Sequence, residues 1–232
     1  MHTPPTTGLA LFDLDHTLIP FDSDYSWGEF TSTVLGWNDP DDFRRQNDAF
    51  YADYKAGTLD IHAYCRFATA AICRQGPQAS QAAHARYLQE VVRPGIRAQA
   101  LELVQEHQRA GDTVVIITAT NEFVTRPIAG LFGVTELLAI ELEVAERPDG
   151  TRWYTGEIRG VPSFREGKVT RLEQWMAGRG LGWDQVRTTF YSDSINDVPL
   201  LERADVAVAT NPDDRLRVLA QQRGWRILDL FA

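Results

Sequence analysis

Leu9-Ala10-Leu11-Phe12-Asp13-Leu14-Asp15-His16-Thr17-Leu18 is the stretch from which the rest of the chain can be read. Four apolar residues in a row have the signature of a buried strand, and the charge that follows marks where the chain leaves the core. On alternating strand geometry Asp13 and Asp15 point to the same side. Two carboxylates held that close repel each other unless a cation sits between them or one keeps a proton. A fold tolerates that cost mainly at a working site. The pair therefore predicts a divalent metal, a nucleophile and a proton carrier in one small volume.

Beyond this run, residues 24–92 read as helical with no convincing strand. Helices are expected near 24–36, 40–56, 60–74 and 77–91, broken by Gly36, Pro40, Gly57 and Gly76-Pro77. Aromatic and aliphatic residues recur there at helical spacing, from Phe43 and Phe50 to Phe67 and Ala71, as in the interior of a small bundle. After Pro94-Gly95 strands and helices alternate. A helix near 95–109 precedes the β-branched run Thr113-Val114-Val115-Ile116-Ile117-Thr118, of the kind buried in parallel sheets. A helix at 121–132 and apolar residues 137–144 follow, and the turn Pro148-Asp149-Gly150 predicts a hairpin over 140–158. Ser163 with Glu166 has capping-box spacing for a helix to about Arg179. Strands at 187–191, 205–209 and 225–228 alternate with helices at 196–203 and 212–223. The fold class is α/β: a doubly wound parallel sheet with an inserted helical bundle. The expected division is a core of 1–20 and 93–232 and a helical cap of 21–92.

Ligands of open parallel sheets bind at the carboxyl ends of the strands. Those ends carry a set of polar groups here. They are Asp13 and Asp15, then Thr118-Ala119-Thr120-Asn121, then Ser192-Asp193-Ser194-Ile195-Asn196-Asp197, with Lys168 in the first turns of the intervening helix. Singly, each has a plain alternative. Asp193 and Asn196 or Thr118 could cap the next helix, and Lys168 could be a solvated lysine. Jointly, a metal-assisted phosphoryl site explains all of them. A phosphate monoester is a dianion, so an anionic nucleophile approaches it only where cations offset the repulsion. Mg²⁺ prefers hard oxygen ligands and keeps waters, which suits Asp13, Asp193 and a carbonyl near Asp15, with Asp197 at or behind the metal. Thr118, Ala119, Lys168 and Asn196 form the expected phosphate-binding set. Asp13 is the expected nucleophile, and Asp15 the group that protonates the leaving oxygen and then activates water.

Composition narrows the partners. The chain has 232 residues, 44% of them hydrophobic and 24% charged, values ordinary for a soluble globular protein. A net charge of −9 argues against nucleic acid or an anionic membrane as partner and leaves a small phosphate ester. No apolar run reaches the roughly 18 residues of a membrane helix, and the first eight residues have no basic signal-peptide region. Cys65 and Cys73 lie in one expected helix, about 12 Å apart along its axis, too far for a disulfide. Reduced thiols and a cytoplasmic setting are expected, in a monomer or homodimer.

The order Phe12-Asp13-Leu14-Asp15-His16-Thr17-Leu18, Ile116-Ile117-Thr118-Ala119-Thr120, Lys168 and Ser192-Asp193-Ser194-Ile195-Asn196-Asp197 resembles the four motifs of the haloacid-dehalogenase-like hydrolase superfamily. The helical insertion resembles the cap of its phosphoserine-phosphatase-like branch. The resemblance implies the roles already given to Asp13, Asp15, Thr118 and Lys168, and an acidic metal pair in Asp193 and Asp197. It departs at Ser192 and Ser194, where glycine is usual. An acid two residues past the nucleophile is kept by the phosphatases and phosphomutases of this superfamily. By the same resemblance Asp22, with Asp24 nearby, meets a substrate amine, unless these acids only cap the first bundle helix. The cap arginine that holds a carboxylate in phosphoserine phosphatases aligns with Ala68, and Arg66 is displaced by two residues, about 200° of helix rotation. That leans toward an amine-bearing substrate without a carboxylate, such as histidinol phosphate or another amino-alcohol phosphate. Phosphoserine is the alternative, and Arg44 and Arg45 are candidates for an anionic group. A phosphomutase, a phospho-acceptor receiver domain and a non-catalytic phosphate-binding module are the competing classes. The chain's length, the paired acids and the helical insertion weigh against the last two.

Overall fold

The apolar run before Asp13 forms β1 (Thr7–Phe12) in the computed structural model, which describes residues 7–231; residues 1–6 and 232, the outer ends of the expected core, lie outside them. The bundle follows as α1 (Ser23–Thr33), α2 (Pro40–Ala56) and α3 (Ile61–Tyr87). A π-helical turn, Leu88–Val92, and the short α4 (Arg93–Gly95) lead into α5 (Ala98–Ala110), β2 (Thr113–Asn121), α6 (Glu122–Leu131) and β3 (Glu136–Ile140). The hairpin strands β4 (Leu142–Glu146) and β5 (Arg152–Ile158) and helix α7 (Glu166–Ala177) come next. The chain closes with β6 (Val186–Ser192), α8 (Val198–Arg203), β7 (Val206–Thr210), α9 (Asp214–Arg223) and β8 (Arg226–Leu228).

Six strands form one parallel sheet in the order β3-β2-β1-β6-β7-β8. Alternation along β1 sends its side chains into two apolar layers. Leu9 and Leu11 pack with Leu172, Met176, Leu200 and Leu216 of α7, α8 and α9, and Ala10 and Phe12 face α5 and α6. The side chains of Ala10, Leu11 and Phe12 are fully covered. The doubly wound α/β class read from the sequence is the fold observed.

The bundle is stopped and bent by residues visible in the sequence. Asp22, Asp39 and Asp60 cap the three helices through their side chains, and Gly57 ends α2 in the left-handed region at φ 78°. Gly28 lets α2 approach α1, because a Cβ there would lie 2.0 Å from the Phe43 ring. The expected break at Gly76-Pro77 is present as a kink within α3 rather than as a loop, with Gly76 at φ 79° and ψ 179°. Pro77 has no N–H to give to the Cys73 carbonyl, and the kink also releases that of Ile72. The β4–β5 hairpin answers both: Arg147 Nη1 donates to Cys73 O at 2.6 Å and Trp153 Nε1 to Ile72 O at 2.8 Å. The hairpin is thereby tied to the bundle.

Two local expectations change. Ser163 and Glu166 form no capping box; Ser163 Oγ donates to Leu138 O at 3.0 Å, and α7 starts after Arg165, which sits at φ 52°. Burial of Ser163 against β3 takes its hydroxyl away from the helix end. Cys65 and Cys73 are both free thiols, and burial pushes that of Cys65 up to about 12. No helix among the described residues is long and apolar enough to cross a membrane.

His84 joins bundle to core. Its ring packs against Trp27, Tyr87 and Phe123, and Nε2 donates to Val124 O at 3.0 Å. Burial pushes its pKa down to about 4, against an ordinary value near 6.5. The neutral ring's stabilisation is complete above that ordinary value and drains away as pH falls toward 4. Urea melts of the wild type and His84→Gln at pH 7 and pH 4 compare how far the stability of each falls with pH. The wild type is expected to lose about 3 kcal/mol more than the variant over that interval. Parallel losses would show that His84 does not titrate on unfolding.

Candidate active site

Strand order reverses between β1 and β6: β2 and β3 extend one way from this pair, β7 and β8 the other. At such a switch point the loops leaving neighbouring strands diverge and open a crevice at their carboxyl ends. Asp13 and Asp15 follow β1, and Asp193 and Asp197 follow β6. Asp13 N donates to Tyr191 O at 2.9 Å, carrying the ladder one residue beyond Phe12 and fixing the direction of its side chain. The loop then folds tightly: Leu14 O accepts from Leu18 N at 2.8 Å, and His16 takes φ 55°.

Lys168 is the hub. Its Nζ donates to Asp13 Oδ1 at 2.8 Å and to Asp197 Oδ2 at 2.6 Å, and its side chain is 2% exposed. Gly167 makes this approach possible, since a Cβ there would sit 2.0 Å from Pro162 O. Burial alone would push Lys168 toward the neutral amine. Attraction by Asp13 and Asp197 outweighs it and holds the pKa above the ordinary lysine value. Asp13 is raised to about 7, by burial first and by Asp197 and Asp15 as like charges, with Lys168 pulling the other way.

Asp15 is held by both oxygens. Ser23 N donates to Oδ1 at 2.8 Å and Thr120 Oγ1 to Oδ2 at 2.8 Å. Burial, with Asp22 as a like charge, raises it to about 6 against these hydrogen bonds. An acid in that range gives up and regains a proton near neutral pH. Thr118 does not cap α6; Asn121 does, through its side chain, and Thr118 Oγ1 accepts from Thr120 N at 3.1 Å. Asp193 and Asn196 do not cap α8 either. Asp193 faces Thr17, whose Oγ1 donates to its Oδ1 at 3.3 Å and accepts from its N–H at 3.1 Å. Burial, Asp13 and Asp197 raise the pKa of Asp193 well above its ordinary value.

Among the described residues no three His, Cys, Asp or Glu side chains gather as a ready-made metal cage. The donor set nevertheless fits Mg²⁺, which takes one or two carboxylates, a carbonyl and waters rather than an all-protein cage. Asp13 and Asp193 are both raised by burial, with like charges adding to each (Asp197 and Asp15 on Asp13, Asp13 and Asp197 on Asp193), and a dication would relieve them.

Above these groups lies a cavity of about 590 Å³. Its floor includes Asp13, Asp15, Thr118, Ala119, Lys168, Asp193, Asn196 and Asp197, so the structure brings the sequence-derived core residues to one space. Its roof comes from the bundle: Asn47, Phe50, Tyr51, Tyr54, Lys55 and Tyr64. Asp22 lines the cavity and also caps α1, accepting from Tyr25 N at 2.9 Å. The helix cap is present, and the carboxylate lies on the cavity wall. Asp24 is turned away, buried under Asn121 Nδ2 at 2.9 Å and the Tyr64 hydroxyl.

The three arginines do not line the cavity. Arg44 pairs with Glu29 and Asp41, Arg45 with Asp42, and Arg66 with Glu157 of the hairpin at 3.2 Å. Each sits on an exposed helix face with an acid in reach, which periodicity alone did not reveal. Residues overlooked in the sequence supply the second layer: Thr17 on Asp193, Thr120 and Ser23 on Asp15, Ser192 on Asp197 at 2.6 Å, and Arg165 on Asn196 Oδ1 at 3.2 Å. Their shared signal is position: Thr17 and Ser192 lie within two residues of a motif acid, Thr120 lies two past Thr118, and Ser23 lies beside Asp22.

The profile of the haloacid dehalogenase-like hydrolases matches residues 10–202. The chain is 42% identical over 222 residues to the histidinol-phosphatase of Neisseria meningitidis serogroup C (strain 8013), covering 95% of this chain and 98% of that protein. It is 34% identical over 225 residues to a phosphoserine phosphatase of Mycobacterium tuberculosis, covering 96% and 71%. A crystal structure of a Bordetella pertussis Tohama I protein of unknown function superposes with a TM-score of 0.89 at 46% identity, over 97% of this chain and all of that one. A substrate-bound phosphoserine phosphatase shares the fold, with a TM-score of 0.65 at 16% identity over 98% of this chain and 94% of that one. With four motifs converging on one cavity under a helical roof, the chain belongs to the haloacid dehalogenase-like hydrolase family and is a phosphatase of that family.

Proposed function

We propose that this phosphatase is a Mg²⁺-dependent monoesterase that acts in the cytoplasm on a small amine-bearing phosphate ester, of the histidinol phosphate kind or another amino-alcohol phosphate. The observation that carries it is the pairing of Asp13 with Lys168 at the switch point, beside an Asp15 poised near neutrality and beneath a cavity edged by Asp22. Asp13, Asp193 and the Asp15 carbonyl would hold Mg²⁺, whose charge would offset that of the phosphate dianion. Lys168 and the Thr118 hydroxyl, with backbone of Ala119 and the side chain of Asn196, hold phosphate oxygens. The Asp13 carboxylate attacks phosphorus; the new O–P bond forms as the ester P–O bond breaks, and Asp15 gives its proton to the leaving alkoxide. Asp15 then takes a proton from water as that oxygen attacks phosphorus, which frees Asp13 and releases phosphate.

The ester's organic part faces the aromatic roof and Asp22. Two cations also line this cavity, Lys55 and Arg215. They favour a second reading, phosphoserine, in which they take the carboxylate. A phosphate-release screen over amino-alcohol, amino-acid and sugar phosphates with Mg²⁺ separates the two. The proposal expects an amino-alcohol ester to have the highest kcat/KM, and a preference for phosphoserine would overturn the substrate assignment. Asp22→Asn keeps an acceptor for the helix cap but removes the charge. It is expected to raise KM about tenfold for the amine-bearing ester and to leave an aryl phosphate nearly unchanged. An equal effect on both would exclude the amine contact.

A further inference from the structure

We propose that Tyr54 is a positioning residue: through Ser194 and Ser192 it links the seating of α2 on the core to the placement of Lys168 against Asp13. The inference rests on the phosphatase reading only where it uses turnover as a readout. Tyr54 OH lies 2.6 Å from Ser194 Oγ. Ser194 N donates to Ser192 Oγ at 3.1 Å, and Ser192 Oγ donates to Asp197 Oδ2 at 2.6 Å. That same oxygen accepts from Lys168 Nζ at 2.6 Å, which also donates to Asp13 Oδ1 at 2.8 Å. A continuous hydrogen-bonded line thus runs from the bundle to the expected nucleophile.

A half-buried tyrosine ordinarily finds some partner for its hydroxyl. This one is distinguished by where its partner leads. Ser192 and Ser194 are buried, and both spend their side chains inside the line; Ser194 Oγ also accepts from Asn196 N at 3.2 Å. Glycine at either position would delete the oxygen that carries it. These are the two departures from the family's usual motif, and here they have a joint use. The end of α2 has other holds on the core, since Arg215 Nη1 donates to Lys55 O at 2.9 Å and Arg165 packs against Gly57. Loss of the Tyr54 hydroxyl therefore loosens the line without freeing the helix.

The test uses Tyr54→Phe, Ser194→Ala and the double variant of the full chain, with p-nitrophenyl phosphate and Mg²⁺. Each single variant is expected to lower kcat about tenfold with KM changed less than about twofold, and the double variant to lose no more than either alone. Unchanged kcat, a change confined to KM, or multiplied losses in the double variant would each overturn the coupling. A second readout needs no turnover and so separates this inference from the assigned activity. Amide hydrogen exchange over residues 192–197 should quicken about tenfold in Tyr54→Phe while exchange in β2 and the melting temperature stay put. Unaltered exchange in that loop would equally refute it.

Discussion

Asp13→Asn is expected to lower turnover by at least about 10⁴-fold while leaving the fold intact. The amide is a far weaker nucleophile than the carboxylate, and no neighbouring acid can replace it. Asp15 has both oxygens engaged by Ser23 and Thr120, and Asp197 is bound to Lys168 and Ser192. Stability changes little because two effects oppose. Lys168 loses one partner but keeps Asp197, while a desolvated charge leaves a cluster that repels it. The melting temperature should stay within about 3 °C of the wild type, roughly 1 kcal/mol for a chain of this size. Phosphate-release assays and thermal melts check the two halves. Near-normal turnover would mean that Asp13 is not the nucleophile.

Lys168→Met should be damaging on both counts. It removes the cation that sits between two buried carboxylates and leaves Asp13 and Asp197 facing each other uncompensated. Removing one partner of a buried ion pair costs about 3–5 kcal/mol, and turnover should fall about 10³-fold as the positive charge expected to hold phosphate is lost. The stability loss has a pH signature. Without Lys168, Asp13 and Asp193 lose the positive charge that pulls their pKa values down, and both stand further above their unfolded values. They therefore destabilise the fold as pH rises through that range and cease to do so in acid, where both states are protonated. Urea melts should show a large deficit at pH 7 that narrows by pH 5. A deficit independent of pH would indicate lost packing rather than unmatched charge.

What the sequence revealed and concealed follows from the range of each interaction. The paired acids after Leu9-Ala10-Leu11-Phe12 located the switch point, because an apolar run that ends in charge can end only where the chain leaves the core. Gly76-Pro77 announced the kink in α3, since no N–H at Pro77 means no bond to Cys73 O. That Arg147 and Trp153 would arrive to satisfy the freed carbonyls depends on a contact across more than seventy residues and has no local signal. The same limit explains Arg44, Arg45 and Arg66. Helical periodicity gave their faces, but the acids that pair with them decide where they point. Ser163 misled for the opposite reason: its spacing to Glu166 satisfied a local rule, and burial against Leu138 overrode it. Thr17 and Thr120 are ordinary as sequence, and Ser192 and Ser194 stand out there only as replacements for glycine. They gain meaning only once strands far apart in the chain bring them beside Asp193, Asp15 and Asp197.

The proposed chemistry comes down to where phosphorus is held between its two transfers. Acid-quenched single turnover with ³²P-labelled ester, followed by borohydride reduction and peptide mapping, reads that directly. Label and reductive conversion at Asp13 is the expected result. A stable adduct at any other side chain, or full turnover with no acyl phosphate trapped at any quench time, would contradict Asp13 as the attacking group.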